Sequence, residues 1–421
     1  MQQTFLFIHE NWLNPLLGIW SLIALITLGV MAARRGVAQD FWSTLSFFVV
    51  GGVIIKFVVP FVMVEDPVDG EGRVLAIRGY GFFLLVGVLA GVGLAMHRSR
   101  QLGLNPDITL NLCFVLFATG ILGARVFYVI QYWPEFQEGG SVSIRRIVNM
   151  TEGGLVVYGS IIGGVVGGIL FLRTQKLPVL AVLDILAPCM MIGLSIGRIG
   201  CLMNGCCWGG VCDTQPSIQF PEGSPPYARH VETGELFGMK APPLKEENDS
   251  GRKISVVHSG SPAETAGIRA GDEIMAFDYS PNPNDARLPE EIVYLIRRGN
   301  GDKKIVFDDD EIPSVSLPVH PVQIYSSVNA FFVFLFLWFY FPSRKRDGQV
   351  LGLLMIIYPI GRFLLEIIRS DELGQFGTQL TISQLTSIAS ILGGIFLLVF
   401  GYYRLKRTET LEMREFDAKK G

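Results

Sequence analysis

The sequence predicts an all-α polytopic membrane protein of about nine transmembrane helices, interrupted by a small extracytoplasmic α+β domain. Three observations predict it. Half of the 421 residues are hydrophobic and only 17% are charged, the mean hydropathy is +0.41, and about nine apolar runs approach the ~20 residues that cross a bilayer. The 48 glycines suit helices packed closely in a membrane. A formal net charge of −3 is too small to indicate nucleic acid or a strongly acidic partner, so partners must be read from local sites.

The apolar runs fall at roughly 15–33, 43–64, 80–97, 109–130, 155–172, 179–196, 322–342, 349–368 and 383–403. The first lacks a basic leader and a small-residue cleavage site, which reads as a retained span rather than a signal peptide. Lys56 and Pro60 interrupt the second, which reads as a kinked helix with the lysine snorkelling or facing the bundle. Basic residues mark every second boundary, at Arg34/Arg35, Arg98/Arg100, Arg173/Lys176, Arg344/Lys345/Arg346 and Arg404/Lys406/Arg407. Those ends are expected in the cytoplasm. The amino terminus and the segment 204–321 are then outside it, and the carboxy-terminal tail, 405–421, is inside.

Between residues 221 and 318 the chain turns Pro-rich, in PEGSPPYARH and APPLKEENDSG, and then soluble and charged. It reads as an inserted domain. Within it KISVVHSGSPAETAGIRAGDEIMAFD, residues 253–278, resembles a PDZ domain: a strand, a Ser-Pro-Ala-Glu turn, a short helix capped by Gly267, and Gly271-Asp272-Glu273 opening the next strand. LPEEIVYLIRRGNGDKKIVFDDDE is expected to add a helix, with Ile292, Leu295 and Ile296 on one face, and a closing strand. A module of this kind at about 250–312 either docks an extended peptide by strand addition or serves as a structural element. No clear carboxylate-binding Gly-rich loop precedes Ile254.

Two charged motifs stand at span ends. GRIGCLMNGCCWG, residues 197–209, places Arg198 at the end of an apolar run, where a charge is expensive and marks a functional site or substrate path. In YPIGRFLLEIIRS, residues 358–370, Tyr358, Arg362, Glu366 and Arg369 fall three or four apart and share one helix face. Two buried arginines suggest an anionic lipid head group.

Taken in order, IRGYGFFLLVG (77–87), GARVFYV (123–129), GGLVVYGSIIGG (153–164), DILAP (184–188), GRIGCLMNGCCWG (197–209), HPVQIY (320–325), YPIGRFLLEIIR (358–369) and TISQLTSI (381–388) resemble the phosphatidylglycerol–prolipoprotein diacylglyceryl transferases. The resemblance implies a seven-span core, 76–220 and 319–404, whose first helix starts near Tyr80. Residues 1–75 would then add two helices, and the head domain would carry the PDZ-like insert. It implies a multi-pass protein of the bacterial inner membrane. The implied reaction moves the diacylglyceryl group of phosphatidylglycerol onto the lipobox cysteine thiol of a prolipoprotein and releases glycerol phosphate.

Under this resemblance Arg198 and Arg362 match the two lipid-binding, catalytic arginines, since a guanidinium is always charged and grips phosphate oxygens in a fork. Tyr80, Asn204 and Gly209 match positions near the lipid. Glu366 is either the ion-pair partner of Arg362 or a general base. His320, Gln323 and Tyr325 open a helix from the outer side, as site residues or as helix-entry packing. Arg125 either lines the same cavity or makes a structural ion pair; Tyr358 and Arg369 are supporting residues. Tyr158 stands where some members carry histidine. A free thiol has a pKa of ~8.5 and a phenol ~10, so deprotonation of the substrate thiol is expected to lean on the field of the arginines or on Glu366.

Other members carry Asn and Glu where this chain has Cys201 and Cys206. With Cys207 and Cys212 these form a cluster outside the cytoplasm. Their spacing is not that of paired C-x2-C knuckles, so disulfide formation or small-residue packing is expected, and no metal or cofactor is assigned. The expected partners are phosphatidylglycerol, lipobox prolipoproteins, membrane lipids and an extended peptide at the PDZ-like insert. Two rival classes are a membrane thiol oxidoreductase using the cysteines and a non-enzymatic receptor or transporter. The lack of a C-x-x-C pair weighs against the first, and the lack of inverted repeats against the transporter.

Overall fold

The computed structural model describes residues 4–35, 39–65, 73–138, 141–142, 147, 154, 156–242, 251–282, 285–299, 301–308, 311–369 and 380–406. The tail beyond 406 and most of the stretch APPLKEENDSG, residues 243–250, lie outside them. Contacts divide the chain into two compact units, residues 1–83 and 84–421.

In the amino-terminal unit a strand β1, Thr4–His9, precedes helices α1, Leu13–Arg35, and α2, Gln39–Val53. The Trp20 indole donates to the Phe48 carbonyl at 2.9 Å and fills the space a side chain at Gly51 would need. The expected second span continues from α2 through a π-helical turn, Ile54–Val58, into a four-residue helix, Val59–Val62. Lys56 lies in that turn, and Pro60, which donates no backbone N–H, follows it. The run is therefore segmented. β2, Val64–Glu65, and β3, Arg73–Arg78, complete an antiparallel sheet in the order β1-β3-β2, which composition did not announce.

Among the described residues eight helices are long and apolar enough to cross a membrane. They comprise α1; α3, Gly79–Gln101; α4, Pro106–Gln131; α5, Val157–Thr174; and α6, Val179–Asn204. After the insertion come, in chain order, helices Val322–Tyr340, Gln349–Ile368 and Ile382–Arg404. The expected boundaries agree within a few residues, but the span 43–64 is not among the eight. The apolar stretch of α6 is 56% buried, against 17–33% for the other long helices from α3 onward. α6 is therefore the axis of its unit, while its neighbours turn residues such as Leu89, Phe117 and Phe332 outward, as lipid contact demands.

Small and polar residues set these contacts. Gly159 and Gly163 of α5 lie so close to α4 that an added Cβ would stand 2.4 Å from the Gly123 carbonyl and 2.3 Å from that of Thr119, which is close approach of the small-xxx-small kind. Ser195 of α6 and Ser327 donate to each other's carbonyls at 2.9 and 2.8 Å. At the other end of α6, buried Asp184 accepts from the N–H groups of Gly348 and Leu351 at 2.8 and 2.9 Å and faces Arg344 at 3.8 Å. The Asp of DILAP thus caps the start of the helix at 349–368.

The insertion opens with α7, Pro225–Thr233, and contains strands β4, Arg252–Lys253, β5, Glu273–Asn282, β6, Asp285–Arg298, and β7, Gly301–Asp308. They form an antiparallel sheet in the order β7-β6-β5-β4. A short helix, Pro262–Thr265, carries its Ser261 cap, and Gly267 follows with φ +83°. The expected helix over the LPEEIVYLIRR stretch is instead strand β6. Ile292, Tyr294 and Ile296 are buried in alternation, and that period of two, in a run rich in β-branched and aromatic residues, overrides the weaker helical spacing. Their side chains meet Phe237, Ile254, Ile274 and Phe307 in the core of the insert.

His230 on α7 is buried and accepts from the Leu317 N–H, at 3.3 Å, on the returning chain. Burial holds its pKa below the ordinary value of 6.5, so the unfolded chain takes up the proton first. The contribution of neutral His230 is complete above ~pH 6.5 and falls away as the pH drops through the lowered folded value. Protection of the insert's amides, taken relative to intrinsic exchange at each pH, should fall between pH 6.5 and 5, and His230→Gln should flatten that dependence; an unchanged pH profile in the variant would refute the assignment.

Candidate functional site

The sequence order Val322–Tyr340, Gln349–Ile368 and Ile382–Arg404 supplies α8, α9 and α10. Arg198 sits on the last turns of α6, with the Tyr358 phenol of α9 beside it. Pro359 follows and, lacking an N–H, frees the Met355 carbonyl, which accepts instead from Ser390 Oγ of α10 at 3.1 Å. One turn on from Tyr358, Arg362 Nη2 contacts Glu366 Oε2 at 2.9 Å and donates to Ser383 Oγ of α10 at 2.7 Å. Arg369 Nη1 reaches the same Glu366 oxygen at 3.3 Å, and Thr381 Oγ1 donates to Glu366 Oε1 at 3.3 Å.

This grouping has a definite charge. Two guanidinium groups share one carboxylate, which is fully buried and taken up by Arg362, Arg369 and Thr381. Arg362 Nη1 is buried with no hydrogen-bond partner among the described residues. A buried charged donor left open is costly unless something binds it. Its chemistry suits an anionic oxygen.

The loop after α6 closes over this end of the bundle. Gly205, at φ +70°, ends the helix; Gln323 Nε2 of α8 donates to the Cys206 carbonyl at 2.7 Å. The Gly209 N–H donates to the His320 carbonyl at 3.0 Å, and the Gly210 N–H to that of Ile368 at 3.0 Å. A Cβ on Gly209 would stand 2.7 Å from the His320 Cβ, so glycine is required for the loop to lie between α8 and α9.

The family model for prolipoprotein diacylglyceryl transferase matches residues 72–400. Over 92% of its length the chain is 36% identical to the phosphatidylglycerol–prolipoprotein diacylglyceryl transferase of Rhodopirellula baltica, covering 86% of that protein. Over 82% it is 28% identical to phosphatidylglycerol–prolipoprotein diacylglyceryl transferase 2 of Clostridium perfringens, covering 98%. The chain belongs to the prolipoprotein diacylglyceryl transferase family. None of these relatives is named an oxidoreductase, receptor or transporter.

In this member of the diacylglyceryl transferase family the structure brings Arg198, Tyr358, Arg362, Glu366 and Arg369 together. Asn204 is the last residue of α6, half-buried beside the loop that holds Gly209. Gln323 and His320 support that loop, and the Tyr325 hydroxyl donates to the Pro216 carbonyl at 3.3 Å, so all three make helix-entry contacts. Tyr158 is the second residue of α5 and is 37% exposed. Tyr80 belongs to the amino-terminal unit, where it is 41% exposed. Arg125 is buried and donates to the carbonyls of Ile147 at 2.8 Å and Gly154 at 3.0 Å, tying down the chain between α4 and α5.

Sequence reasoning left Ser383 and Thr381 without roles. Their signal was present: Thr381-Ile-Ser-Gln384 is a capping box, and its two hydroxyls reach Arg362 and Glu366. Of the two readings of the cysteines, disulfide or small-residue packing, the structure shows no disulfide: all six are free. Cys212 Sγ donates to the Thr214 carbonyl at 3.2 Å, and the sulfurs of Cys201, Cys206 and Cys207 converge within 4.8 Å of one another.

Proposed function

We propose that this chain transfers the diacylglyceryl group of phosphatidylglycerol to the lipobox cysteine of a prolipoprotein. The observation that carries the reading is the arginine cluster with a buried open nitrogen on Arg362, in a chain matched by the transferase family over most of its length. Arg198 and Arg362 each lie six residues before the end of their helix, about 9 Å at 1.5 Å per residue. That is the depth of a lipid head group rather than of the bilayer centre.

In the reaction the substrate thiolate attacks the glycerol carbon that bears the phosphate oxygen. The C–S bond forms, the C–O bond breaks, and glycerol phosphate leaves with the electron pair. Negative charge grows on the phosphate as the bond lengthens, so donors fixed on those oxygens stabilise the transition state more than the bound lipid. Arg198, beside Tyr358, and Arg362, oriented by Glu366 and Ser383, are the residues for this task. Glu366 acts as a positioning residue, because its oxygens are occupied by two arginines and a threonine. Asn204, Gly209 and Tyr80 are proposed lipid-site residues on the family resemblance, and Tyr158 is a candidate for handling the thiol proton. The alternation of basic loops supports an inner-membrane protein with the amino terminus and insertion outside and the tail inside.

The test uses the purified full chain, radiolabelled phosphatidylglycerol and a lipobox peptide. Label should pass to the Cys peptide and not to its Cys→Ser counterpart. Absence of transfer by a folded, lipid-replete protein would overturn the proposal, as would label that ignores the thiol.

A further inference from the structure

The three converging thiols at the end of α6 take no part in the reaction described above, yet the backbone is bent to bring them together. Gly205 ends the helix and returns the Cys206 N–H to the Cys201 carbonyl at 3.1 Å. Cys207 then adopts φ +61°, a left-handed conformation that side-chain-bearing residues rarely take. The loop is held from outside by Gln323 on the Cys206 carbonyl and by Gly209 on His320. None of these contacts uses a sulfur atom. The result is three Sγ atoms all within 4.8 Å of one another, each partly buried.

The geometry points to a binding site for one thiophilic d10 cation, zinc or copper(I), held by Cys201, Cys206 and Cys207. Thiolate sulfurs about 2.3 Å from a zinc ion stand about 3.8 Å apart, so small side-chain rotations close the set. A disulfide would use two of the sulfurs and leave the third, and it would give no reason for the left-handed backbone at Cys207. Three thiolates also need positive charge nearby, and Arg198 and Arg369 supply it. A trigonal copper(I) site would then be complete, whereas zinc would leave its fourth position to water. Cys212, engaged with Thr214, stands outside the set. Binding would clamp the segment Gly205–Gly209 to the end of α6.

The test takes the full chain in detergent, reduced and stripped by chelator. Cobalt(II) titration should give a thiolate-to-metal charge-transfer band saturating at one ion per chain. Zinc should displace it, and anaerobic copper(I) competition then ranks the two metals. Cys207→Ser should weaken binding at least tenfold and Cys212→Ser should not. A readout on the unmutated protein guards against a variant that fails to fold: metal should protect three thiols from alkylation and slow hydrogen exchange at Gly205–Gly209. No charge-transfer band with the three thiols equally reactive in the presence of each metal would overturn the site, as would oxidation of the cluster to a disulfide in air at an unchanged rate when metal is present.

Discussion

Arg362→Lys should lower kcat/KM for diacylglyceryl transfer by about 10²–10³, with the protein still folded in the membrane. The size follows from what the guanidinium does at once. Nη2 is committed to Glu366 and Ser383, leaving Nη1 open and buried. An ammonium group carries the charge but has one nitrogen, so it meets the carboxylate or the phosphate and not both in the planar fork. Loss of one fixed donor to a developing anion costs about 2.7–4 kcal/mol. Arg198→Lys should fall in the same range, because Arg198 offers the same planar fork at the matching depth of α6. Transfer to the lipobox peptide, measured beside a thermal unfolding curve, checks both. Activity within tenfold of the parent in either variant would remove that arginine from the mechanism.

Glu366→Gln should reduce transfer about 10–100-fold and destabilise the bundle by about 3–5 kcal/mol, the usual penalty for leaving a buried charge unpaired. Here two guanidinium groups lose one shared partner. Phosphatidylglycerol should recover much of the thermal stability, since its phosphate restores an anion to the cluster. The pH–rate profile separates positioning from base catalysis. A positioning residue leaves residual activity with the parent's pH dependence; loss of the acidic limb in Glu366→Gln would make Glu366 the base.

The long helices were legible because each is an apolar run of nearly constant length, and the bilayer fixes that length. The charged turn 358–369 was legible too, since spacings of three and four put Arg362, Glu366 and Arg369 on one face. What escaped were features whose partners lie far along the chain. Ser383 and Thr381 read locally as a helix cap, and only the packing of α10 on α9 turns their hydroxyls toward the arginine cluster. β6 was misread because Ile292, Leu295 and Ile296 also satisfy a helical spacing; the sheet prevails because it buries Ile292, Tyr294 and Ile296 together. Which three of the four clustered cysteines converge escaped for a third reason. Spacing rules assume an ordinary backbone, and Cys207 does not have one.

α6 and α9 meet at both ends of a shared span. Asp184 holds Gly348, and fourteen residues later in each helix stand Arg198 and Arg362. Equal rungs separate the anchor from the guanidinium on both rails. Inserting or deleting one residue between them on α6 alone would turn Arg198 by about 100° and slide it about 1.5 Å against Arg362. Length in these two segments is thus inherited as a matched pair: substitutions can accumulate along either helix, but a change of register in one survives only with its counterpart in the other.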